Sequence, residues 1–167
     1  MAMQNRDRLL KRLAAIKGKP RVAMRAALEQ GARQIVASAQ NLVPAKSGAL
    51  KASIGYTFGE YRPDNANVRG VSAGAGGGDP DLSVTVHAGD ATAFYASFVE
   101  FGTAPHSVAK GGGTKGGKLK ALLGRGKPHP GAQAHPFFFP AYRMNKRAVK
   151  SRLTRAMRKA VRDGAHA

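Results

Sequence analysis

Residues 82–87, Leu-Ser-Val-Thr-Val-His, alternate large apolar and polar side chains with a period of two. Successive side chains of an extended chain point to opposite faces, so Leu82, Val84 and Val86 share one face and Ser83, Thr85 and His87 the other. That is a half-buried strand, and it decides against an all-helical fold. Upstream, Tyr56 and Phe58 alternate with small or polar neighbours in the same way. The middle of the chain is therefore read as a small, mostly antiparallel sheet, with strands at 54–59, 68–73 and 82–88 and a fourth candidate at 95–101, a stretch whose periodicity fits a buried strand or a short helix equally. Between the strands, Gly70 to Gly78 followed by Asp79-Pro80 reads as a hairpin loop. It is not a phosphate cradle, because no Gly-Lys-Ser/Thr and no helix start follow it.

The flanks change period. From Phe138 onward, Ala141/Tyr142, Asn145, Ala148/Val149, Leu153, Ala156/Met157 and Ala160/Val161 recur every three or four residues, and nine Lys/Arg from Arg143 to Arg162 fill the remaining surface. That is an amphipathic helix over 138–161. A second stripe, Leu28, Ala32, Ile35, Ala39 and Leu42, predicts a helix over 21–42 stopped by Pro44. Leu9, Leu10, Leu13 and Ile16 predict a shorter helix over 4–17, with Gly18 and Pro20 as punctuation. Ser47 stands where a hydroxyl can cap a short turn running into Ile54. Two long amphipathic helices against a small sheet make an α+β fold. The expected organisation is a basic helical extension over 1–19, one domain over 20–162 and a tail over 163–167. Within the domain, 104–135 is a long basic, glycine-rich loop insertion.

Composition narrows the function. Of 167 residues, 30 are alanine and none is tryptophan, so the core is thin for the chain length. The net charge of +19 works against a compact monomer and calls for an assembly partner or a polyanion. The charge is segregated. Residues 1–50 are basic, residues 51–100 hold six acids against Lys51, Arg62 and Arg69, and residues 101–162 hold fifteen Lys/Arg and no acid. Such a pattern predicts contact surfaces of opposite sign. The absence of cysteine removes disulfide scaffolds, thiolate metal sites and cysteine nucleophiles. No apolar run reaches the ~18 residues of a membrane span.

Catalysis finds no assembled group. The central acids are separated by loops, no serine stands in a nucleophile elbow, and His87, His106, His129, His135 and His166 form no helical metal-binding pair. No cofactor and no metal is expected, and no enzymatic activity. The basic balance raises non-specific nucleic-acid binding as a rival reading. Against it, the aromatics do not interleave with the basic residues as stacking platforms would.

Three segments in order carry a resemblance. The first is Asn41-Leu42-Val43-Pro44-Ala45-Lys46-Ser47-Gly48-Ala49-Leu50-Lys51-Ala52-Ser53-Ile54. The second is Tyr95-Ala96-Ser97-Phe98-Val99-Glu100-Phe101-Gly102-Thr103, and the third is Ala134-His135-Pro136-Phe137-Phe138-Phe139-Pro140-Ala141-Tyr142. Together they resemble the tail-component or tail-completion proteins at the head–tail junction of long-tailed bacteriophages. Members of that family carry Pro-x-x-Thr-Gly-x-Leu-x-x-Ser-Ile, then Tyr-Ala-x-x-Val-Glu-Phe-Gly-Thr, then Pro-Phe-x-x-Pro-Ala. Here Ser47 replaces the usual threonine, and the link from Ala104 to Gln133 is longer than the family's.

The resemblance implies a structural virion protein, assembled in the host cytoplasm, forming a ring of six copies at the head–tail junction. Its partners would be itself, the head-side connector or stopper, the tail terminator or tail tube, and genomic DNA passing non-specifically through the lumen, with no membrane. A tail terminator capping the tube is the nearest alternative. Tyr95, Phe98, Glu100, Phe101, Phe137 and Phe138 are expected at the subunit or neighbour interface, joined by Leu119, Leu122 and Leu123 of the long loop. Lys110, Lys115, Lys118, Lys120, Arg125 and Lys127 are expected to meet DNA or an acidic partner.

Overall fold

A computed structural model of the chain describes residues 2–44, 48–59, 61, 79–109, 114–123 and 126–165. The fold is α+β, built on two long helices, α1 (Ala2–Leu42) and α5 (Phe138–Ala165), that pack together. They run antiparallel: Ser38 lies beside Asn145, Gln34 beside Arg152, Gly31 beside Val149 and Lys19 beside Asp163. Small side chains let the backbones approach. Ala27, Ala32 and Ala39 of α1 and Ala141 and Ala160 of α5 are buried. At Gly31 even a methyl group would stand 2.7 Å from Val149 Cγ1. The seam is fixed in register by polar bonds. Asn145 Nδ2 donates to Ser38 Oγ and to the Ala141 carbonyl, both at 2.8 Å, and Arg152 Nη2 donates to Gln34 Oε1 at 3.0 Å.

The break expected at Gly18-Lys19-Pro20 is absent; α1 continues through it with Pro20 inside the helix. Proline forfeits one i→i−4 bond there and costs about 3 kcal/mol in an isolated helix. The helix is not isolated, because α5 reaches back alongside this turn, and Lys19 Nζ bonds the Asp163 carbonyl.

Two short antiparallel sheets complete the fold. Strands β1 (Gly55–Phe58) and β2 (Val84–His87) pair with Gly55 opposite His87 and Phe58 opposite Val84. They follow a one-turn helix, α2 (Ala49–Ala52), that buries Leu50. The expected strand at 68–73 and the capping Ser47 lie outside the described residues. Residues 95–101 are not a strand: Ala96–Phe101 form helix α3. Asp90 decides this locally, because its Oδ1 accepts the N–H groups of Thr92 and Ala93 and turns the chain. Ala93, Ala96 and Glu100 are then buried at helical spacing.

The long link is not one irregular loop either. It holds β3 (His106–Val108), helix α4 (Lys115–Leu122) and β4 (Lys127–His129), with β3 and β4 paired antiparallel. We call this unit the flap. The main apolar cluster joins Ala39 and Val43, Leu50 and Ile54, Ala93 and Ala96, and Phe137 and Ala141, so the three motif segments meet in one core. Seven of the twelve buried apolar residues are alanine (Ala27, Ala32, Ala39, Ala93, Ala96, Ala141 and Ala160), and Phe137 is the one large side chain fully enclosed among the described residues.

Candidate assembly surface

The second and third motif segments form one joint. Glu100, on the inner side of α3, is 6% exposed, and its carboxylate faces the start of α5. Oε2 accepts the N–H groups of Phe137 and Phe138 at 2.7 and 2.9 Å, and Oε1 accepts that of Phe139 at 3.0 Å. The first turn of a helix has N–H groups with no partner in the helix, and the aligned peptide dipoles favour an anion there. Glu100 therefore caps α5 from another element. Gly102 completes the joint: its φ is +70°, and a Cβ there would lie 2.6 Å from the Ala132 carbonyl oxygen. Thr103 and Ala132 exchange backbone hydrogen bonds at 2.9 and 3.1 Å, and the His135 N–H donates to the Val99 carbonyl at 2.8 Å. The flap thus leaves and re-enters the domain at one point.

Burial sorts the residues expected at an interface. Glu100 and Phe137 are inside the subunit, and Tyr95 and Phe138 are half-buried against its core. They shape the surface from beneath. Phe98 and Phe101 face outward, Phe101 with 68% of its surface exposed. Phe139 is exposed as well, with its ring 5.9 Å from that of Phe101, and Phe94, just before α3, is exposed with its ring edge-on to Tyr95. The missed signal is the spacing of Phe98 and Phe101, which share one face of a helix and would split between the two faces of a strand.

The flap presents a different chemistry. Lys115, Lys118, Lys120 and Lys127 are exposed, as are Leu119, Leu122 and Leu123, with Leu122 the most open at 84%. Lys110 and Arg125 lie outside the described residues. An open groove of about 760 Å³ runs along Val108, Lys120, Lys127, Pro128 and His129. The rings of His106 and His129 lie 4.9 Å apart across β3 and β4, tilted by 30° to one another. Among the described residues no three potential metal ligands cluster.

The charge segregation resolves mostly inside the subunit. Arg21 pairs with Asp79 at 2.6 Å and reaches Asp81 at 3.6 Å, and Arg25 pairs with Asp81 while lying 4.2 Å over the Phe58 ring. One helical turn further along, Glu29 accepts from the Tyr56 hydroxyl at 3.1 Å and pairs with Arg33. The acidic segment thus fastens the β1–β2 hairpin to the basic helix that precedes it. Arg21 holds the Asp79 carboxyl below its ordinary range, helped by the Asp81 N–H. With Asp79, Asp81, Asp90 and Glu100 all engaged internally, the outward charge of the described residues is overwhelmingly positive.

Among the described residues no helix is long and apolar enough to cross a membrane. The family model described as "Bacteriophage HK97-gp10, putative tail-component" matches residues 7–102. No curated protein and no solved structure matches the chain.

Proposed function

The chain belongs to the HK97-gp10-like family of bacteriophage tail components, and on that premise we propose that it is the ring-forming neck protein that joins the DNA-filled head to the tail. In this reading six copies close a ring between the head-side connector and the tail tube, and DNA passes through the lumen. The observation that carries it is the aromatic surface of Phe94, Phe98, Phe101 and Phe139, exposed on a subunit whose own core is largely alanine. Exposed aromatic clusters mark protein contacts. This one is held rigid from beneath by the Glu100 cap, so little ordering entropy is lost on docking. The leucines of the flap supply a second contact, to an adjacent neck or tail protein, with its lysines meeting acidic groups there.

The test is Phe101→Asp in the phage. Because Phe101 is exposed, the subunit folds, and the expected result is separate heads and tails in place of joined particles. Joined, infectious particles at the normal yield would overturn the proposal.

A further inference from the structure

We propose that the outward face of α5 is a duplex-DNA-binding ridge, and that this face, not the flap, carries the subunit's main contact with phosphates. The inference rests on the proposed place of the ring on the path of the DNA, and it assigns that contact to an element.

The seam with α1 uses Ala141, Asn145, Val149, Arg152 and Ala160. The opposite side of the helix carries Arg143, Arg147, Lys150, Arg155, Arg158 and Arg162, all exposed. Among the described residues none of these six has an acidic partner; the ion pairs present are made by Arg21, Arg25 and Arg33 of α1. They extend over about 28 Å of helix at 1.5 Å per residue. A duplex presents one charge per ~1.7 Å of its axis, so such a ridge can meet several phosphates at once.

The arrangement is unfavourable for the helix itself. Arg143 and Arg147, Lys146 and Lys150, Arg155 and Lys159, and Arg158 and Arg162 are like-charged pairs four residues apart, which repel on a helix surface. A solvated face chosen for solubility alone would interleave acids, yet the first acid on α5 is Asp163, in its last turn. Arginine outnumbers lysine on this face, and its planar fork suits phosphate oxygens.

A duplex is favoured over an acidic protein because the face lacks a contiguous apolar anchor. Its exposed apolar side chains are Met144 near one end and the pair Met157 and Val161 near the other, half-exposed among Arg155, Arg158 and Arg162 and forming no continuous stripe. The aromatic surface and the flap leucines, where a protein would dock, lie on other elements.

The experiment uses the full chain and a short labelled duplex of mixed sequence, titrated between about 50 and 200 mM salt. Arg147→Gln/Lys150→Gln/Arg158→Gln is expected to weaken binding more than about tenfold and to flatten the log–log salt slope by about 2.7, or 0.9 per lost phosphate contact. Ser151→Glu is a second variant that removes no group. It places a carboxylate four residues from both Arg147 and Arg155, so it should raise the melting temperature while weakening DNA binding. The proposal is overturned if the duplex is not bound at low salt, or if both variants bind as the unaltered chain does. It is equally overturned if Lys115→Gln/Lys118→Gln/Lys120→Gln/Lys127→Gln alone abolishes binding, or if polyglutamate competes as well as DNA at equal charge. Head–tail joining is scored separately, so loss of DNA binding with normal joining separates this inference from the function it rests on.

Discussion

The carboxylate of Glu100 and the backbone N–H of Phe137 are 2.7 Å apart, both in the interior, although 37 residues of chain separate them. That bond and its two companions make a helix of the middle of the chain and the start of the last helix into a single piece. Phe137 can enter the core only because its N–H is satisfied at the same point; an unpaired buried N–H would oppose the burial of its ring. The aromatic surface sits on the other side of that piece, on Phe98, Phe101 and Phe139. On the proposed function the cap therefore links folding to assembly: whatever loosens α5 at its first turn also disorders the aromatic surface proposed to meet a neighbour.

Removing the carboxylate should show this directly. Glu100→Ala leaves three N–H groups without their acceptor in a buried place, and hydrogen bonds to a charged group contribute about 1.5–3 kcal/mol each before relaxation. A loss of about 3 kcal/mol or more in denaturant unfolding is expected, with Glu100→Gln intermediate because one oxygen remains. A Glu100→Ala protein within about 0.5 kcal/mol of the parent would refute the capping role.

The close approach of the long helices gives a second prediction. At Gly31 an added methyl would press on Val149 Cγ1 at 2.7 Å, and a β-branched side chain in a helix has little rotamer freedom to yield. Gly31→Ala should therefore destabilise by about 1–2 kcal/mol, even though alanine is the better helix former by about 1 kcal/mol. Combining it with Val149→Ala removes the obstruction, so the double variant should be more stable than the two single effects added together. Simple additivity in a double-mutant cycle would mean the helices are not in contact there.

These two sites also show what could be read beforehand. The strand at 84–87 and the inner stripe of α5 were legible because period-two and period-3.6 patterns run long enough to separate. Helix α3 was not, since Phe98, Val99 and Phe101 are apolar on both faces and only the Asp90 turn sets the period. Gly18 and Pro20 read as a break between two helices when α1 is taken alone; the long contact with α5 overrides it. The motif Val99-Glu100-Phe101-Gly102 was visible as a pattern, but its reasons were not. The acid is there for N–H groups that sequence places far away, and the glycine for a carbonyl at Ala132. The opposite charges of the first and middle segments were plain, whereas their pairing within one subunit, Arg21 and Arg25 with Asp79 and Asp81, depends on the fold.

Acid should weaken the hairpin through His87. Burial pushes its imidazole below the ordinary value, its Nδ1 has no partner, and the Tyr61 ring stacks on it at 3.9 Å. Because the folded state binds this proton less readily than the unfolded state, protonation favours unfolding. Its contribution is intact above the unfolded imidazole pKa of about 6.5 and is lost as the pH falls through the lower folded value. Asp79 acts in a separate, lower window: its depressed pKa contributes above the ordinary carboxylate range and is lost only in stronger acid. Melting temperatures from pH 8 to pH 5 should therefore fall below about 6.5, and His87→Asn should flatten that part of the curve. Parallel curves for the two proteins would remove His87 from the explanation.

The flap should be dispensable for folding and required for joining. Among the described residues none between Ala104 and Pro136 belongs to the main core cluster. The chain on either side is already closed by the Thr103–Ala132 bonds and by the His135 N–H on the Val99 carbonyl. Replacing residues 106–129 with a short Gly-Ser link keeps those bonds and removes Lys115, Lys118, Lys120 and Lys127 with Leu119, Leu122 and Leu123. Changing a surface loop's length alters closure entropy only slowly, so the melting temperature should stay within a few degrees of the parent's, about 1 kcal/mol in stability. Joined particles should nevertheless become rare at low and at high salt alike, because screening weakens the lysine contacts but leaves the leucine contacts to be lost in both conditions. Loss of joining at low salt only, where unscreened lysine contacts matter, would make the contact electrostatic and leave the leucines without a role. A protein that no longer folds would mean that the flap belongs to the domain after all.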